Sequence, residues 1–190
     1  MLQKPAETST PISDLLAHRW SPRVYDQTHV LSENEKTRLA EAARWAPSAN
    51  NSQPWKFAFI DRDNPIHTEL VGKGLTGFNQ TWAPHAATLI VSLASMKRMD
   101  GSDADKAASF FNNALATSQI VFEAEAMGLK AHYMTGIHPE EIANLLGVTD
   151  YWVACVIAVG RQAEIDGVSD ELKERETAPR SRRPLSEILL

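Results

Sequence analysis

Ala46-Pro47-Ser48-Ala49-Asn50-Asn51-Ser52-Gln53-Pro54-Trp55 lies between a segment of helical periodicity and one of strand character. Prolines fix φ and disfavour helix in the residue before them, so Pro47 and Pro54 hold what lies between as a stiff turn. Ser48, Asn50, Asn51, Ser52 and Gln53 then present neutral donors and acceptors on that turn, beside Trp45 and Trp55. Such groups suit a planar heteroaromatic ring with alternating carbonyls and nitrogens. The same residue types also make ordinary Asx and Ser turns and helix caps, and the loop alone does not choose.

Working outward, Ser32 with Glu35 three residues on spells a capping box, and Leu39, Ala42 and Ala43 form the apolar stripe of the helix entering the loop. Further back, residues 11–17 read as a short helix that ends at His18-Arg19-Trp20-Ser21-Pro22-Arg23. Downstream, residues 55–60 read as a strand stopped by Asp61-Arg62-Asp63-Asn64-Pro65. Residues 87–94 read as a buried strand, and 104–127 as the longest helix, closed by Gly128. Its expected stripe is Ala107, Phe111, Leu115, Ser118, Phe122 and Ala126, whose small members admit another long helix. A short extended piece at 131–136, a helix from Pro139 to Leu146 and a strand from Tyr151 to Val159 follow. Beyond Gly160 the chain turns polar, with a helical patch around Leu172 and Arg175 before Pro179. Helices alternating with strands incline toward an open α/β sheet.

Length and composition narrow the function classes. At 190 residues and 43% hydrophobic content this is one globular domain with a core of its own. A net charge of −5 gives no general pull toward nucleic acid or an anionic membrane, so neither is expected as a partner. The single cysteine, Cys155, sits in an apolar run and excludes an intrachain disulfide framework. The polar, proline-bearing N-terminus reads as neither signal peptide nor anchor, and no apolar run could span a bilayer, so a cytoplasmic protein is expected. The six histidines are scattered without metal-ligand spacing, and no G-x-S-x-G elbow is present. Gly72-Lys73-Gly74-Leu75-Thr76-Gly77 has G-x-G-x-x-G spacing, but helical residues precede it and too little room follows for a crossover helix. It reads as a mobile glycine loop rather than a dinucleotide site.

The arginines say more than the net charge. Arg19 and Arg23 flank Ser21 near one end of the chain, and Arg182 and Arg183 lie between Pro179 and Pro184 at the other. Guanidinium binds the oxygens of a phosphate monoester bidentately, so the two proline-stiffened segments could close around one phosphate. Solvated surface charge, or a short nucleic-acid arm, is the competing reading.

Three separated segments resemble one family, the FMN-dependent nitroreductases. Arg19-Trp20-Ser21-Pro22-Arg23 is similar to the family's opening Arg-x-Ser-x-Arg/Lys element, and residues 47–55 to its Pro-Ser-x-x-Asn-x-Gln-Pro-Trp loop. Residues 179–188 resemble its terminal Pro-Arg-Lys-Pro-Leu-x-Glu-Ile arm. The resemblance implies an α+β fold, with a central, mostly antiparallel sheet flanked by helices. It implies an intertwined homodimer with a swapped C-terminal arm and FMN sites at the interface. Residues 1–10 would then be a flexible N-terminus, 11–165 the FMN-binding domain and 166–190 the arm.

Residue by residue, the resemblance places Arg19, Trp20, Ser21 and Arg23 at the FMN phosphate and pyrimidine edge, joined by Arg182 and Arg183. It places Pro47, Ser48, Asn50, Asn51 and Gln53 at the isoalloxazine and ribityl chain, with Ser48 crossing from the partner subunit. Met134, Thr135 and Gly136 would lie over the flavin, the Gly136 N–H facing N5. The flavin carries the chemistry, so no catalytic side chain is required. The implied activity is ping-pong transfer of hydride from NAD(P)H to nitroaromatic, quinone or related small acceptors. Reduction of a small aldehyde such as malonic semialdehyde, reductive dehalogenation, flavin fragmentation, or FMN binding without turnover as a carrier or sensor are the alternatives. The family often has an acidic residue before the glycine over the flavin, where this chain has Thr135, and longer middle insertions that this chain lacks.

Overall fold

A computed structural model describes all 190 residues. In chain order the elements are α1 (Asp14–His18), α2 (Glu33–Arg44), β1 (Trp55–Asp61), α3 (His67–Glu69), α4 (Asn79–Trp82), β2 (Thr88–Ser95), α5 (Lys106–Ala126), β3 (Lys130–Met134), α6 (Pro139–Leu146), β4 (Tyr151–Gly160) and α7 (Asp170–Thr177). The four strands form one sheet in the order β1-β2-β4-β3, and every pair is antiparallel. This is α+β, as the resemblance implies, and not the parallel sheet that alternating elements suggest. Alternation fixes the type of each element but leaves strand direction open.

Helices cover both faces of the sheet. Leu89, Val91, Val156 and Ala158 point to one side and pack with Leu70, Trp82, Met134 and Ile142. Ile90, Cys155, Ile157 and Val159 point to the other and pack with Leu39 and Ala43 of α2 and Ala116, Ile120 and Val121 of α5. Strands buried on both faces read as continuous apolar runs, which is why β2 and β4 are so plain in the sequence. The capping box of α2 is formed: Ser32 Oγ accepts the Glu35 N–H at 3.2 Å, and the Glu35 carboxylate accepts the Ser32 N–H at 2.8 Å.

The inward face of α5 differs from the expected stripe. Its buried residues are Ser109, Asn112, Asn113, Ala116, Thr117, Ile120, Val121 and Ala124. The expected stripe is the outward face instead: Phe111 is 67% exposed, and Ala107 and Ala126 are exposed with it. Two apolar stripes wrap this helix, and the more polar one faces the sheet because Asn113 has a specific partner there. Between Ser92 and Leu93 the β2–β4 register shifts, Ser92 facing Cys155 and Leu93 facing Val153, so Ala154 is the extra residue of a bulge. The Leu93 carbonyl accepts from Asn113 Nδ2 at 3.1 Å, and Ser92 Oγ donates to Asn113 Oδ1 at 2.8 Å. Buried polar groups need such partners.

The glycine-rich stretch is a correction of a second kind. Rather than a mobile loop, residues Leu70–Gly74 continue α3 as a wide helical turn, with the Leu75 N–H donating to Leu70 O at 3.0 Å. Gly74 is buried there, and a Cβ would lie 2.7 Å from Ile142 Cγ1. Its glycine serves close packing of that turn on α6, not phosphate binding.

The N-terminal segment lies along the chain's other end. Lys4 Nζ donates to the carbonyls of Glu176 (2.8 Å) and Ala178 (2.5 Å), and its ammonium sits 4.7 Å from the Trp20 ring centroid. After α7 the chain extends through Pro179 to a single turn at Leu185–Glu187, where Leu185, Ile188 and Leu189 are exposed. No helix is long and apolar enough to cross a membrane.

Candidate functional site

The structure divides the expected site residues into three groups, two toward opposite ends of α5 and one at the end of β3. The first is cationic. Arg19, at the end of α1, is half-buried and donates to Ser21 Oγ at 3.2 Å. Arg180 and Arg182 of the arm reach the same place, and with Arg19, Thr8 and Phe122 line a cavity of about 290 Å³. None of the ten ion pairs in the chain uses Arg19, Arg23, Arg180, Arg182 or Arg183. The carboxylate beside Arg19 and Arg180, Glu125, is already held by Lys130 at 2.6 Å. Burial and then the Arg180 charge lower the proton affinity of Arg19, and burial and then Arg182 lower that of Arg180. Glu7 also lines the cavity but pairs with none of the arginines, so the cluster keeps an excess of positive charge that a phosphate monoester would balance.

Backbone anchors keep this cluster in place. Arg180 donates to the carbonyls of Lys4 and Ala17, tying the arm to the N-terminal segment and α1. The Arg23 N–H is accepted by the Glu176 carboxylate, which is fully buried and whose pKa is raised by burial. His132 on β3 bonds through Nδ1 to the Pro22 carbonyl at 2.9 Å and packs on Trp82, centroids 4.5 Å apart. Burial, then the Arg23 charge, brings its pKa down to about 4 against the pull of the Pro22 and Ser21 carbonyls, so the ring is neutral. Trp20 is 4% exposed, so its side chain acts as a packing anchor for this element. Arg183 is exposed, and the guanidinium of Arg182 hydrogen-bonds only the Ser181 carbonyl.

The second group is the opening loop. Asn50 (φ 53°), Asn51 (φ 54°) and Gln53 (φ 45°) all take left-handed backbone conformations, which cost free energy in non-glycine residues and collect at functional loops. Ser48 Oγ accepts the Gln53 N–H at 3.0 Å, and Gln53 Nε2 donates to the Asn51 carbonyl at 2.9 Å. The loop is fixed to α5 by Asn112, whose Oδ1 accepts the Ala49 N–H at 2.9 Å. Asn50 and Asn51 are exposed, with their amides free. Trp45 is 74% exposed and donates to Glu41, whereas Trp55 packs at the edge of the core.

The third segment, at the end of β3, splits by residue. Met134 is 2% exposed and points into the core, so only its backbone is available. Thr135 is exposed. The Gly136 carbonyl accepts from the Thr76 N–H (3.0 Å) and Asn79 Nδ2 (3.3 Å), while its own N–H has no acceptor in the chain. A Cβ at Gly136 would lie 2.9 Å from Thr76 Oγ1. This is a held peptide with one free donor.

Within one chain the loop and the arginine cluster do not meet. Asn112 holds the loop and Phe122 lines the arginine cavity. They are ten residues apart on α5, about 15 Å at about 1.5 Å per residue. Sequence reasoning named Arg19 and Arg182 but missed Arg180, His132, Glu176 and Lys4. Arg180 was legible as the arginine directly after Pro179, and His132 as a polar residue in an extended piece; Glu176 and Lys4 gave no signal.

Comparison with known proteins bears on the family and the fold. The family described as the nitroreductase family matches residues 16–70 and 66–161. The Bacillus subtilis protein YdgI is 36% identical over 87 residues, 46% of this chain and 40% of that protein. An oxygen-insensitive NADPH nitroreductase of Helicobacter acinonychis is 25% identical, with 90% of this chain and 91% of that enzyme covered. Among solved structures, an oxidoreductase containing FMN superimposes with a TM-score of 0.88 at 29% identity, over 97% of this chain and 93% of that one. The match of sequence profile, relatives and fold shows that this chain belongs to the nitroreductase family.

Proposed function

We propose that this protein is an FMN-dependent oxidoreductase that uses NAD(P)H to reduce nitroaromatic, quinone or related small acceptors. The observation that carries the reading is the cluster of Arg19, Arg180 and Arg182, half-buried or exposed guanidiniums that line one cavity and form no ion pair. A flavin mononucleotide phosphate neutralises them, with Ser21 Oγ and the neighbouring backbone as further partners. The relatives' names point the same way: one is an NADPH nitroreductase and one solved neighbour contains FMN. When bound, the flavin supplies two-electron chemistry, accepting hydride from NAD(P)H and passing it on, with kinetics of the ping-pong type. In balance, NAD(P)H, a proton and a quinone give NAD(P)⁺ and a hydroquinone. The protein's share is to bind, orient and polarise. Gly136 offers its free N–H to N5, held in position by Thr76 and Asn79. The arginines at the phosphate fix the long axis of the cofactor, and Asn50, Asn51 and Gln53 offer amides to its ring and ribityl chain.

The reading includes a homodimer. One chain's loop lies about 15 Å from its own arginine cluster along α5. Two α5 helices packed antiparallel through the outward stripe of Ala107, Phe111, Leu115 and Ser118 bring each loop to the partner's cluster. Ser48 then serves the partner's cofactor. The exposed Leu185, Ile188 and Leu189 of the arm find their cover on the second subunit.

The deciding experiment is the visible spectrum of the purified protein, followed by anaerobic addition of NADPH or NADH. A flavin spectrum that bleaches in turnover time and recovers on adding a quinone is the expected result. A colourless protein that does not take up added FMN overturns the reading.

A further inference from the structure

The residues around the bulge in β4 define a second feature. Along β4, Cys155, Ile157 and Val159 face α5, so simple alternation sends Val153 to α5 and Trp152 to the opposite face. The extra residue, Ala154, reverses the phase: Val153 joins the far core and Trp152 turns to α5. There its ring meets Phe110, centroids 6.3 Å apart at 55°. The two rings, with Thr135, Ile137 and Tyr151, line a cavity of about 290 Å³. That lies near the lower end of the roughly 300–1,000 Å³ typical of small-molecule pockets, and suits a single substituted ring. Thr135 is adjacent to Gly136, so the cavity opens beside the peptide assigned above to flavin N5.

One ammonium, Lys106, lines this cavity, and a second, Lys56, stands over the ring of the lining residue Tyr151. Lys106 Nζ lies 5.5 Å from the Phe110 centroid and 5.7 Å from the Trp152 centroid, and Lys56 Nζ lies 4.9 Å from that of Tyr151. Neither ammonium is in an ion pair, and neither Lys106 nor Lys56 is hydrogen-bonded through its side chain. One carboxylate, Glu140, shares the lining. The ring faces that would hold a cationic ligand are already taken by lysine, and a carboxylate on an aromatic ring satisfies both parts of the site: ring against rings, anion against Lys106.

We infer that this cavity selects aromatic acceptors that carry an anionic group, with Lys106 as the specificity-determining residue. The inference rests on the flavin-reductase reading above and narrows it to a substrate class. For a nitrobenzoate, NAD(P)H supplies a hydride and solvent one proton; one N–O bond of the nitro group breaks, its oxygen leaves as water with those two hydrogens, and the nitroso compound and NAD(P)⁺ remain.

The test compares 4-nitrobenzoate with 4-nitrobenzamide as acceptors for the flavin-loaded protein, in wild type, Lys106→Met and Lys106→Arg. Methionine keeps the apolar stem without the charge. The expected result is a fall of about tenfold in the benzoate-to-amide ratio of kcat/KM in Lys106→Met, carried by KM for the benzoate, with the ratio restored in Lys106→Arg. Glu140→Gln should move the ratio the other way. A ratio indifferent to Lys106→Met overturns the inference while leaving the flavin reading intact. So does failure to reduce either compound by a protein whose flavin is bleached by NADPH and reoxidised by a quinone. A protein that binds no flavin overturns both, and the spectrum distinguishes that outcome from the others.

Discussion

Acid should weaken this protein through one residue in particular. His132 is neutral in the folded chain, its pKa brought down to about 4 first by burial and then by the Arg23 charge, from an ordinary value of 6.5. Between those values the unfolded ring binds a proton that the folded ring refuses, so stability falls as pH drops through this window and levels off below about 4. The slope approaches about 1.4 kcal/mol per pH unit, and from about pH 7 to about pH 5 the loss is about 2 kcal/mol. His29 and His67, also lowered by burial, act in the same direction. Glu176, raised by burial, acts in the opposite one, because its folded carboxyl keeps a proton that the unfolded form releases. The perturbation that isolates His132 is His132→Asn. Asparagine places a donor near the Nδ1 position that bonds the Pro22 carbonyl, and it cannot titrate. Urea unfolding followed by tryptophan fluorescence, at the two pH values and equal protein concentration, gives the loss for each protein. The wild type should lose about 2 kcal/mol more than the variant on acidification, whatever the variant costs at neutral pH. Equal losses in the two proteins would refute the neutral, buried imidazole.

Three other outcomes follow from the same geometry. Arg19→Ala combined with Arg182→Ala should release FMN from a chain that stays folded by circular dichroism; a full complement of flavin in the double variant removes the phosphate assignment. Truncation after Pro179 deletes Arg180, Arg182 and the exposed leucines of the arm, and should cost both flavin retention and dimer stability, read by absorbance and size exclusion. Gly160→Ala puts a Cβ 3.0 Å from the Ala87 backbone nitrogen and 3.1 Å from Tyr25 Cδ1, where the backbone has no room to give. Overpacking of this kind costs about 1–3 kcal/mol, measurable as a lowered urea midpoint.

Much of the fold was legible because its signals are local. The capping box at Ser32, the apolar runs of β2 and β4 and the terminating Gly128 each depend on a few neighbouring residues. What escaped depends on partners distant in sequence. The inward face of α5 is chosen by Asn113 bonding to Ser92 and Leu93, and apolar counting prefers the stripe that carries Phe111. Strand direction was likewise invisible to a pattern of element types. At the candidate site, Arg19 and Arg182 were legible through flanking prolines and the resemblance. Glu176 was not, since a glutamate in a polar stretch gives no sign of being buried beneath the Arg23 backbone. The Gly72–Gly77 stretch misled in the smaller sense: in place of a mobile loop, its first half is a helical turn in which Gly74 packs on Ile142.

The bulge at Ala154 makes one aspect of this protein a matter of strand phase rather than residue chemistry. On the near side of Ala154, odd-numbered residues of β4 face α5; beyond it, even-numbered residues do. Substitutions at Trp152 or Phe110 change the furniture of the cavity, but smoothing the bulge into regular alternation at unchanged length would change its address. With regular alternation carried through Ala154 and no residue removed, Trp152 would rotate into the far core and Val153 would come to face Phe110, whereas deleting Ala154 would leave both on their present faces, two residues and one residue before Cys155. Relatives of equal strand length with and without the bulge can share every other element of the sheet and still present opposite sides of the same strand end to whatever they bind.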